Sequence, residues 1–404
     1  MAFKGQFLYT FSVSVLLKED QLLIQQSARE FARKVIMPKA AEFERAQRFP
    51  KPFIDQAGTL GFLGMVIPEG FGGAGADEVS YCSVLSEISY ACASTAVIIS
   101  VNNMVCWAIH RYGSDDLKKK YLTPLASKGL AAFALTEPNA GSDAAHITTQ
   151  AKQDGENYLL NGTKMFVTSG SVADVVMVMA VTHPGKGKSG ISAFLVERGT
   201  PGLVVGKIED KMGIRASDTA ELVFQGCRVP RANLLGKEGE GFKIAMEALN
   251  FGRIGIAAQC VGIAEACLDA SIAYASQRRQ FGKAIAQFEG IQWMIADMAT
   301  EIEAARALML HAAIIKDKGR EFIKEASMAK LFASEVANRA AYKAVQIHGG
   351  SGYLKDFPVE RYYRDARVTT LYEGTSEIQR LIIAKHVFRQ RGGPLDETEV
   401  GNDR

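Results

Sequence analysis

The sequence has no CxxC pair, no basic tract and no short repeat, and none of its segments reads as an uninterrupted apolar run that would cross a bilayer. Each absence closes a class of function. The six cysteines, Cys82, Cys92, Cys106, Cys227, Cys260 and Cys267, stand apart, mostly in apolar, helix-like surroundings where a thiol acts as a small core residue. A zinc site or a disulfide framework is not expected, no metal is expected, and a reducing compartment is the natural reading. Lysine and arginine number 47 against 44 acidic residues, a net charge of +3. A dedicated nucleic-acid binder concentrates basic residues on one patch, so no nucleic-acid partner is expected. A few placed arginines can still grip the phosphates of a small molecule. The run "MAFKGQFLYTFSVSVLL" sets one lysine ahead of apolar residues, the outline of a signal peptide. It lacks a small-x-small cleavage site, and Lys18, Glu19 and Asp20 follow at once. Residues 1–14 are expected to be a disordered extension and 393–404 a polar, frayed tail. No membrane span is expected.

What is present is 404 residues, 48% of them hydrophobic, enough for two or three packed units. Apolar residues recur at three and four from Lys18 to Arg48, from Phe53 to Leu63 and from Val79 to Leu125, the spacing of helices. Between Thr148 and Val229 the period changes to two. "NYLLNGTKMFVTSG" sets Asn161-Gly162 between two alternating runs, which predicts a hairpin turn there. "DVVMVMAV", "ISAFLVERG", "GLVVGKI" and "TAELVFQGCRV" read as further strands. Helices return after Pro230: a long one through "GFKIAMEALNFGRIGIAAQCVGIAEACLDASIAYASQRRQ", then Gln292–Lys318, Glu321–His348 and a last one at Ser376. Helices, then strands, then helices argue for an α+β chain, mostly α, rather than an alternating parallel sheet. The expected units are a helical domain at 15–130, a β-barrel-like domain at 131–235 and a helical bundle at 236–392.

Several short motifs stand at the joints of this plan. "GFGGAG", Gly70–Gly75, satisfies G-x-G-x-x-G, but no βαβ unit surrounds it, so a glycine-rich loop is the better reading than a dinucleotide fingerprint. "FALTEPNAGSD" is a turn by composition, yet it gathers hydroxyls and small residues where two domains would meet. "FVTSG" ends a strand with an aromatic and a hydroxyl. "RRQFG" closes a helix with arginine, which either complements the helix terminus or grips a phosphate. "QIHGGSGY" ends another helix at glycine. In "LYEGTSEIQRLII", Ser376 and Gln379 have capping-box spacing, and Glu373 stands just outside the helix. An acid there is helix-dipole decoration or a base aimed into a pocket.

Taken in order, "LTEPNAGSD", "FVTSG", "KMGIRASDTAEL", "VPRANLLGKEGEGF", "GRIGIAAQ", "RRQFGK", "QIHGGSGY" and "YEGTSEIQR" resemble the acyl-CoA dehydrogenase family over Lys18–Gly392. The resemblance implies FAD, a helix–β–helix subunit and a homotetramer built as a dimer of dimers. It implies that Phe133, Leu135, Thr136, Gly141 and Ser142 line the flavin, with Phe166 and Thr168 at its ring. Arg278, Phe281, Gln346, Gly349 and Gly350 would meet the FAD of a neighbouring subunit, Arg278 at the pyrophosphate. Thr375 and Glu377 would reach the same cofactor. Glu373 would be the catalytic base, taking the α-proton of a fatty acyl-CoA while hydride leaves the β-carbon for the flavin. The thioester carbonyl would be held by a flavin ribityl hydroxyl and the base's own N–H. Ser142, Asn250 and Arg253 would contact the CoA part, although Asn250 stands where Asp is frequent. Ala96, Ser100 and Met104, with Tyr372 and Gly374, would wall the acyl pocket; the ordinary reading of the first three is helix core.

The same resemblance implies a short or short branched acyl chain, an electron-transfer flavoprotein as acceptor, and a bacterial-type cytoplasmic or a mitochondrial-matrix setting. The competing readings are an acyl-CoA oxidase or other flavin oxidase on the same fold, and a non-enzymatic flavin-bearing scaffold. An oxidase would carry a further C-terminal helical domain. A nitroalkane-type oxidase would lack the Glu373 match, and a nucleic-acid-binding scaffold would carry a basic C-terminal extension where this tail is acidic.

Overall fold

A computed structural model describes residues 17–393. The expected extension at 1–14 lies outside them, as does the tail beyond its first residue. α1 (Glu19–Phe31) and α2 (Met37–Arg45) are one helical run joined through a wider π-turn at Ala32–Ile36, and α3 (Lys51–Thr59) follows. α4 (Glu78–Ala91), α5 (Ala93–Tyr112) and α6 (Asp115–Ser127) replace the single helical stretch expected over Val79–Leu125. The breaks have local causes. Cys92 is extended, with φ −159°, and Ser114 caps α6 by accepting from the Leu117 N–H. Asp77 caps α4 in the same way through Ser80. The glycine-rich loop at 70–75 holds a 3-10 turn and the left-handed Gly72, and among the described residues no strand precedes it.

The strands are β1 (Ala131–Ala134), β2 (Gln150–Asp154), β3 (Asn157–Thr168), β4 (Val175–Val181), β5 (Ile191–Glu197), β6 (Leu203–Ile208), β7 (Thr219–Pro230) and β8 (Leu234–Leu235). They form one sheet in the order β6-β7-β3-β2-β4-β5-β8, with β1 parallel to β4. The alternation read between Thr148 and Val229 corresponds to β2–β7. β1 was not foreseen, because "AAFA" has little intrinsic β preference. Distant side chains place it: Asn102 Oδ1 accepts from the Ala131 N–H at 2.8 Å and Asp174 Oδ2 from the Leu130 N–H at 2.9 Å.

The hairpin turn is not at Asn161-Gly162. β3 runs straight through those residues, and the turn is Gly155-Glu156, with Asp154 paired to Asn157. Asn161-Gly162 instead marks an irregularity in the β3–β7 register, and Asn161 Oδ1 accepts from the Gly226 N–H. Glycine is required by a close approach: a Cβ on Gly162 would lie 2.4 Å from Thr149 Oγ1 and 2.7 Å from its Cβ. The φ there is +151°.

α7 (Gly241–Gln277) is the axis of the C-terminal part. It is followed by a small hairpin, β9 (Arg279–Gln280) and β10 (Lys283–Ala284), then α8 (Glu289–Asp317), α9 (Ile323–His348), α10 (Val359–Arg367) and α11 (Ser376–Gln390). α7 packs against α4 and α5 on one side and α8 and α9 on the other. Its backbone meets α4 closely: Ser86 and Ser89 donate to the carbonyls of Ala258 and Gln259 at 3.0 and 2.7 Å. All six cysteines are buried and unbridged. A separate joint ties the beginning, middle and end of the chain. Glu44 on α2 accepts from the N–H groups of Arg215 and Ala216 and from Ser94, while Asp365 on α10 accepts from the Ile214 N–H. Ile214 itself is left-handed at φ +44°.

Gly162→Val is expected to lower stability by about 2 kcal/mol, since a branched side chain in that gap must displace Thr149 or bend β3. A fall in the denaturation midpoint with an unchanged slope checks it; an unchanged midpoint would mean that the gap can open.

Candidate active site

After α10 the chain makes a 3-10 turn at Val368–Thr370 and reaches Tyr372, Glu373 and Gly374. Glu373 and Gly374 are both left-handed, at φ +52° and +92°. For glutamate this conformation is strained and persists only where the surroundings hold it. They do so through the carbonyls. Gln379 Nε2 donates to both the Glu373 and Gly374 oxygens at 3.1 Å, Lys330 Nζ donates to Gly374 at 2.7 Å, and Arg253 Nε points at the Glu373 oxygen from 3.5 Å. The capping box expected at Ser376 is therefore displaced. Thr375 is the cap, its Oγ1 accepting from the Ile378 N–H. Ser376 donates to Glu335, and Gln379 serves the turn that carries Glu373 rather than the helix end.

Held this way, the Glu373 side chain lies against α7. A Cβ on Gly252 would fall 2.3 Å from Glu373 Oε2 and 2.9 Å from Met104 Sδ, so glycine leaves room for the carboxylate. Oε2 is closed off from solvent and has no hydrogen-bond partner among the described residues. Burial pushes the carboxyl up to about 7, against the pull of Lys330 and then Arg253. Helix-dipole decoration predicts a solvated acid with an ordinary pKa; this one is partly buried, with one oxygen closed off and its pKa raised.

Side chains of three helices gather around this turn. Ser100 and Met104 lie on one face of α5, with Ala96 a turn earlier on the same face. Tyr81 of α4 donates to Ser100 Oγ at 3.2 Å, above Gly255, where a Cβ would be 2.6 Å from that oxygen. Tyr372 donates to Gln259 Oε1, and Gln259 Nε2 donates to the Ala93 carbonyl, so the turn, α7 and the start of α5 are cross-linked. Asn250 Oδ1 accepts from Arg253. Sequence reading did not single out Tyr81, Gly252, Gly255, Gln259 or Lys330. Gly252 and Gly255 could have been noticed as glycines inside a strong helix, which mark close approaches; the others carry no local signal.

A second group of the expected residues gathers at the sheet. Glu137 and Lys164 form a buried pair at 2.7 Å, and Lys164 also donates to the Leu135 carbonyl at 3.0 Å. Glu137 additionally accepts from Thr148 and Thr149; against burial, the Lys164 ammonium first and these hydrogen bonds second hold its pKa down to about 2, while burial lowers Lys164 to about 8. The Met165 N–H donates to the Thr136 carbonyl. Together these bonds bring the loop of Leu135, Thr136, Gly141 and Ser142 against the end of β3. There Phe166, left-handed at φ +57° on a β-bulge, is turned outward and 62% exposed, beside Thr168. Phe133 is half-buried in β1.

The third group lies at one end of the bundle. Tyr274 stacks on His348 at 4.3 Å and bonds to Ser351. This brings the end of α7, with Arg278 and the hairpin tip Phe281, to the end of α9, with Gln346, Gly349 and Gly350. Arg278 makes no side-chain hydrogen bond or ion pair among the described residues, and Phe281 is 92% exposed. The residues fit FAD. Exposed aromatics and an unpaired arginine suit a large planar anion. Gly141, Gly349 and Gly350 have open space where a Cβ would stand, and the buried Ser169 Oγ beside Phe166 lacks a partner. Thr375 and Glu377 lie at the α11 N-terminus, where backbone N–H groups favour anions. Among the described residues no group of His, Cys, Asp and Glu could hold a metal.

The chain matches three family models: acyl-CoA dehydrogenase N-terminal domain over 18–129, middle domain over 132–227 and C-terminal domain over 239–388. It is 52% identical over 372 residues to an acyl-CoA dehydrogenase of Bacillus subtilis (strain 168), covering 92% of this chain and 98% of that one. It is 48% identical over 384 residues to the mitochondrial short-chain specific acyl-CoA dehydrogenase of Mus musculus, covering 95% and 93%. Butyryl-CoA dehydrogenase from Megasphaera elsdenii superposes with a TM-score of 0.91 at 43% identity, covering 92% of this chain and 99% of that one. A chain in the structure of the electron transferring flavoprotein of Acidaminococcus fermentans gives 0.91 at 47% identity, with coverage of 92% and 99%.

Lys164→Met strands the buried Glu137 carboxylate and frees the Leu135 carbonyl. The expected cost is about 3–5 kcal/mol, with faster amide exchange confined first to the 135–142 loop. Chemical denaturation and exchange mass spectrometry read both.

Proposed function

The chain belongs to the acyl-CoA dehydrogenase family and is an FAD-dependent oxidoreductase of acyl-CoA thioesters. On that premise we propose that it converts a short or short branched acyl-CoA to the trans-2-enoyl-CoA, with Glu373 as the base. The observation that carries this reading is the unpartnered Oε2 of Glu373, closed off from water and with a pKa near 7. A base with that pKa is ionised in about half the molecules at neutral pH and still holds a proton well, the combination that general-base catalysis favours.

The α-C–H of a thioester is a weak acid. Glu373 accepts the α-proton, its C–H electron pair becomes the new double bond, and hydride leaves the β-carbon. FAD, when bound, supplies the acceptor for that hydride. The Glu373 N–H, which has no partner among the described residues, donates to the thioester carbonyl and stabilises its developing negative charge. Arg253, oriented by Asn250, and Ser142 receive the CoA part. Phe133, Leu135, Thr136, Gly141, Ser142, Phe166 and Thr168 hold the flavin. Thr375 and Glu377, with Arg278, Phe281, Gln346, Gly349 and Gly350 of a neighbouring subunit, hold the rest. That arrangement needs at least a second copy of the chain, which a homotetramer built as a dimer of dimers supplies, and the exposed Phe281, Trp293 and Tyr353 suit covered surfaces. The three units divide near residues 130 and 235. The preference for short chains draws on the tied Tyr372–Gln259 pair, on Met104, and on the short-chain and butyryl-CoA relatives. Electrons pass to an electron-transfer flavoprotein, the partner class of the Acidaminococcus structure.

Anaerobic addition of butyryl-CoA should bleach the bound flavin, and electron-transfer flavoprotein should restore its colour far faster than air; fast reoxidation by air would mark an oxidase. Glu373→Gln should keep flavin and thermal midpoint yet bleach about 1,000-fold more slowly, since no other side chain is placed to take the proton. In the wild type, kcat/KM should fall tenfold per pH unit below about 7, because only the ionised carboxyl accepts a proton.

Each methylene admitted to an apolar pocket is worth roughly 1 kcal/mol, about five-fold in affinity. Specificity constants should peak at butyryl- or 2-methylbutyryl-CoA and drop at octanoyl-CoA. Met104→Ala should move the peak to longer chains. A wild-type peak at palmitoyl-CoA would refute the short pocket.

A further inference from the structure

One cation under the Glu373–Gly374 turn is unused by the chemistry above. Lys330, on α9, is 0% exposed, and its Nζ donates to the Gly374 carbonyl at 2.7 Å. It forms no ion pair within 4 Å among the described residues, an unusual state for a buried ammonium. The groups facing it are Cys260 and Arg253 of α7, Glu373 of the turn and Glu335 of its own helix. Cys260 is pushed up to about 12 by burial and stays neutral. Glu335 is partly exposed and already accepts from Ser376 at 2.9 Å, with Arg380 at 3.6 Å. Tyr81 and Tyr372, which face Glu373 from α4 and from the turn, are both raised by burial and stay neutral. The carboxylate left to balance Lys330 is Glu373.

We propose that Lys330 is the positioning residue of the base: through the Gly374 carbonyl it locks the left-handed turn that aims Glu373, and it supplies the counter-charge for the Glu373 carboxylate. The two functions have different back-ups. Gln379 also holds the Gly374 carbonyl, at 3.1 Å, so the turn keeps a donor without the lysine. The charge has a weaker substitute. Arg253 pulls on Glu373 less than Lys330 does; its Nε approaches the Glu373 backbone oxygen and its NH1 donates to Asn250. Lys330 is also the stronger of the two cations pulling Glu373 back toward ionisation, and its own value of about 8 keeps it charged at neutral pH.

This inference rests on Glu373 as the base, and the experiment separates the two. The flavin-loaded enzyme is compared with Lys330→Gln, which keeps a donor for Gly374 but no charge, and with Lys330→Arg, which keeps the charge. Glu373→Gln serves as reference. Two readouts follow Glu373: the acid limb of kcat/KM for butyryl-CoA, and an infrared titration of the carboxyl band that disappears in Glu373→Gln. In Lys330→Gln both should move up by about one pH unit, the size of one neighbouring charge, so kcat/KM below the limb falls about tenfold. Lys330→Arg should leave the limb at the wild-type position. Flavin absorbance and thermal midpoint should stay near wild type in both. An unmoved limb in Lys330→Gln, or equal shifts in the two variants, overturns the proposal while Glu373→Gln remains inactive. Failure of both variants to fold also overturns it, since Lys330 would then serve the fold alone. Wild-type turnover by Glu373→Gln would instead remove the base assignment itself.

Discussion

A carboxylate oxygen without a hydrogen-bond partner, closed off from water, is the constraint on which the rest of the site depends. Desolvating such a group is costly, and an ordinary loop would swing it into solvent. Here the backbone forbids that. Two successive left-handed residues face the side chain inward, and side chains from α7, α9 and α11 grip the carbonyls that would otherwise let the turn relax. α7 contributes by omission, with no Cβ at Gly252 or Gly255. The core of tightly packed helices is thus the device that keeps one acid poised between its two protonation states.

The sheet solves a related problem by the opposite means. The loop after β1 must present backbone and hydroxyls outward while its own polar groups are satisfied. The Glu137–Lys164 pair does this from beneath, with Thr148 and Thr149 completing the carboxylate's partners. Every charge there is matched, so both groups remain ionised and the loop is rigid. At Glu373 the match is left incomplete, and the proton equilibrium is movable. The contrast between two buried carboxylates, one held down to about 2 and one raised to about 7, separates a structural acid from a reactive one.

Much of this was legible in the sequence where the information is local. The helix–strand–helix order followed from the change of hydrophobic period, and Gly349 at a helix end followed from cap chemistry. The motif strings pointed to Glu373 because each is contiguous in sequence. Legibility failed where a residue's meaning comes from a distant neighbour. Asn161-Gly162 carries the sequence of a turn but answers to Thr149 across the sheet. Ser376 has the spacing of a cap but is drawn to Glu335, and Thr375 takes its place. β1 is mostly alanine, and the side chains that hold its start, Asn102 and Asp174, lie far away in sequence. Lys330 sits in an unremarkable helical string, 44 residues before the carbonyl it holds.

The joint of Glu44, the 214–216 loop and Asp365 bears on how the polypeptide is made. Glu44 leaves the ribosome early, and its partners at Arg215 and Ala216 follow 171 and 172 residues later. The loop's third anchor, Asp365, lies another 151 residues beyond Ile214. At about 5–20 residues per second, many seconds of synthesis separate the two halves of that contact. During that interval the sheet can form, but the left-handed Ile214 has only half of its support. The middle of the chain therefore cannot finish folding before the end has arrived. Vectorial synthesis builds the α2 side first and leaves the final clasp to the last helices, the same ones that carry the base.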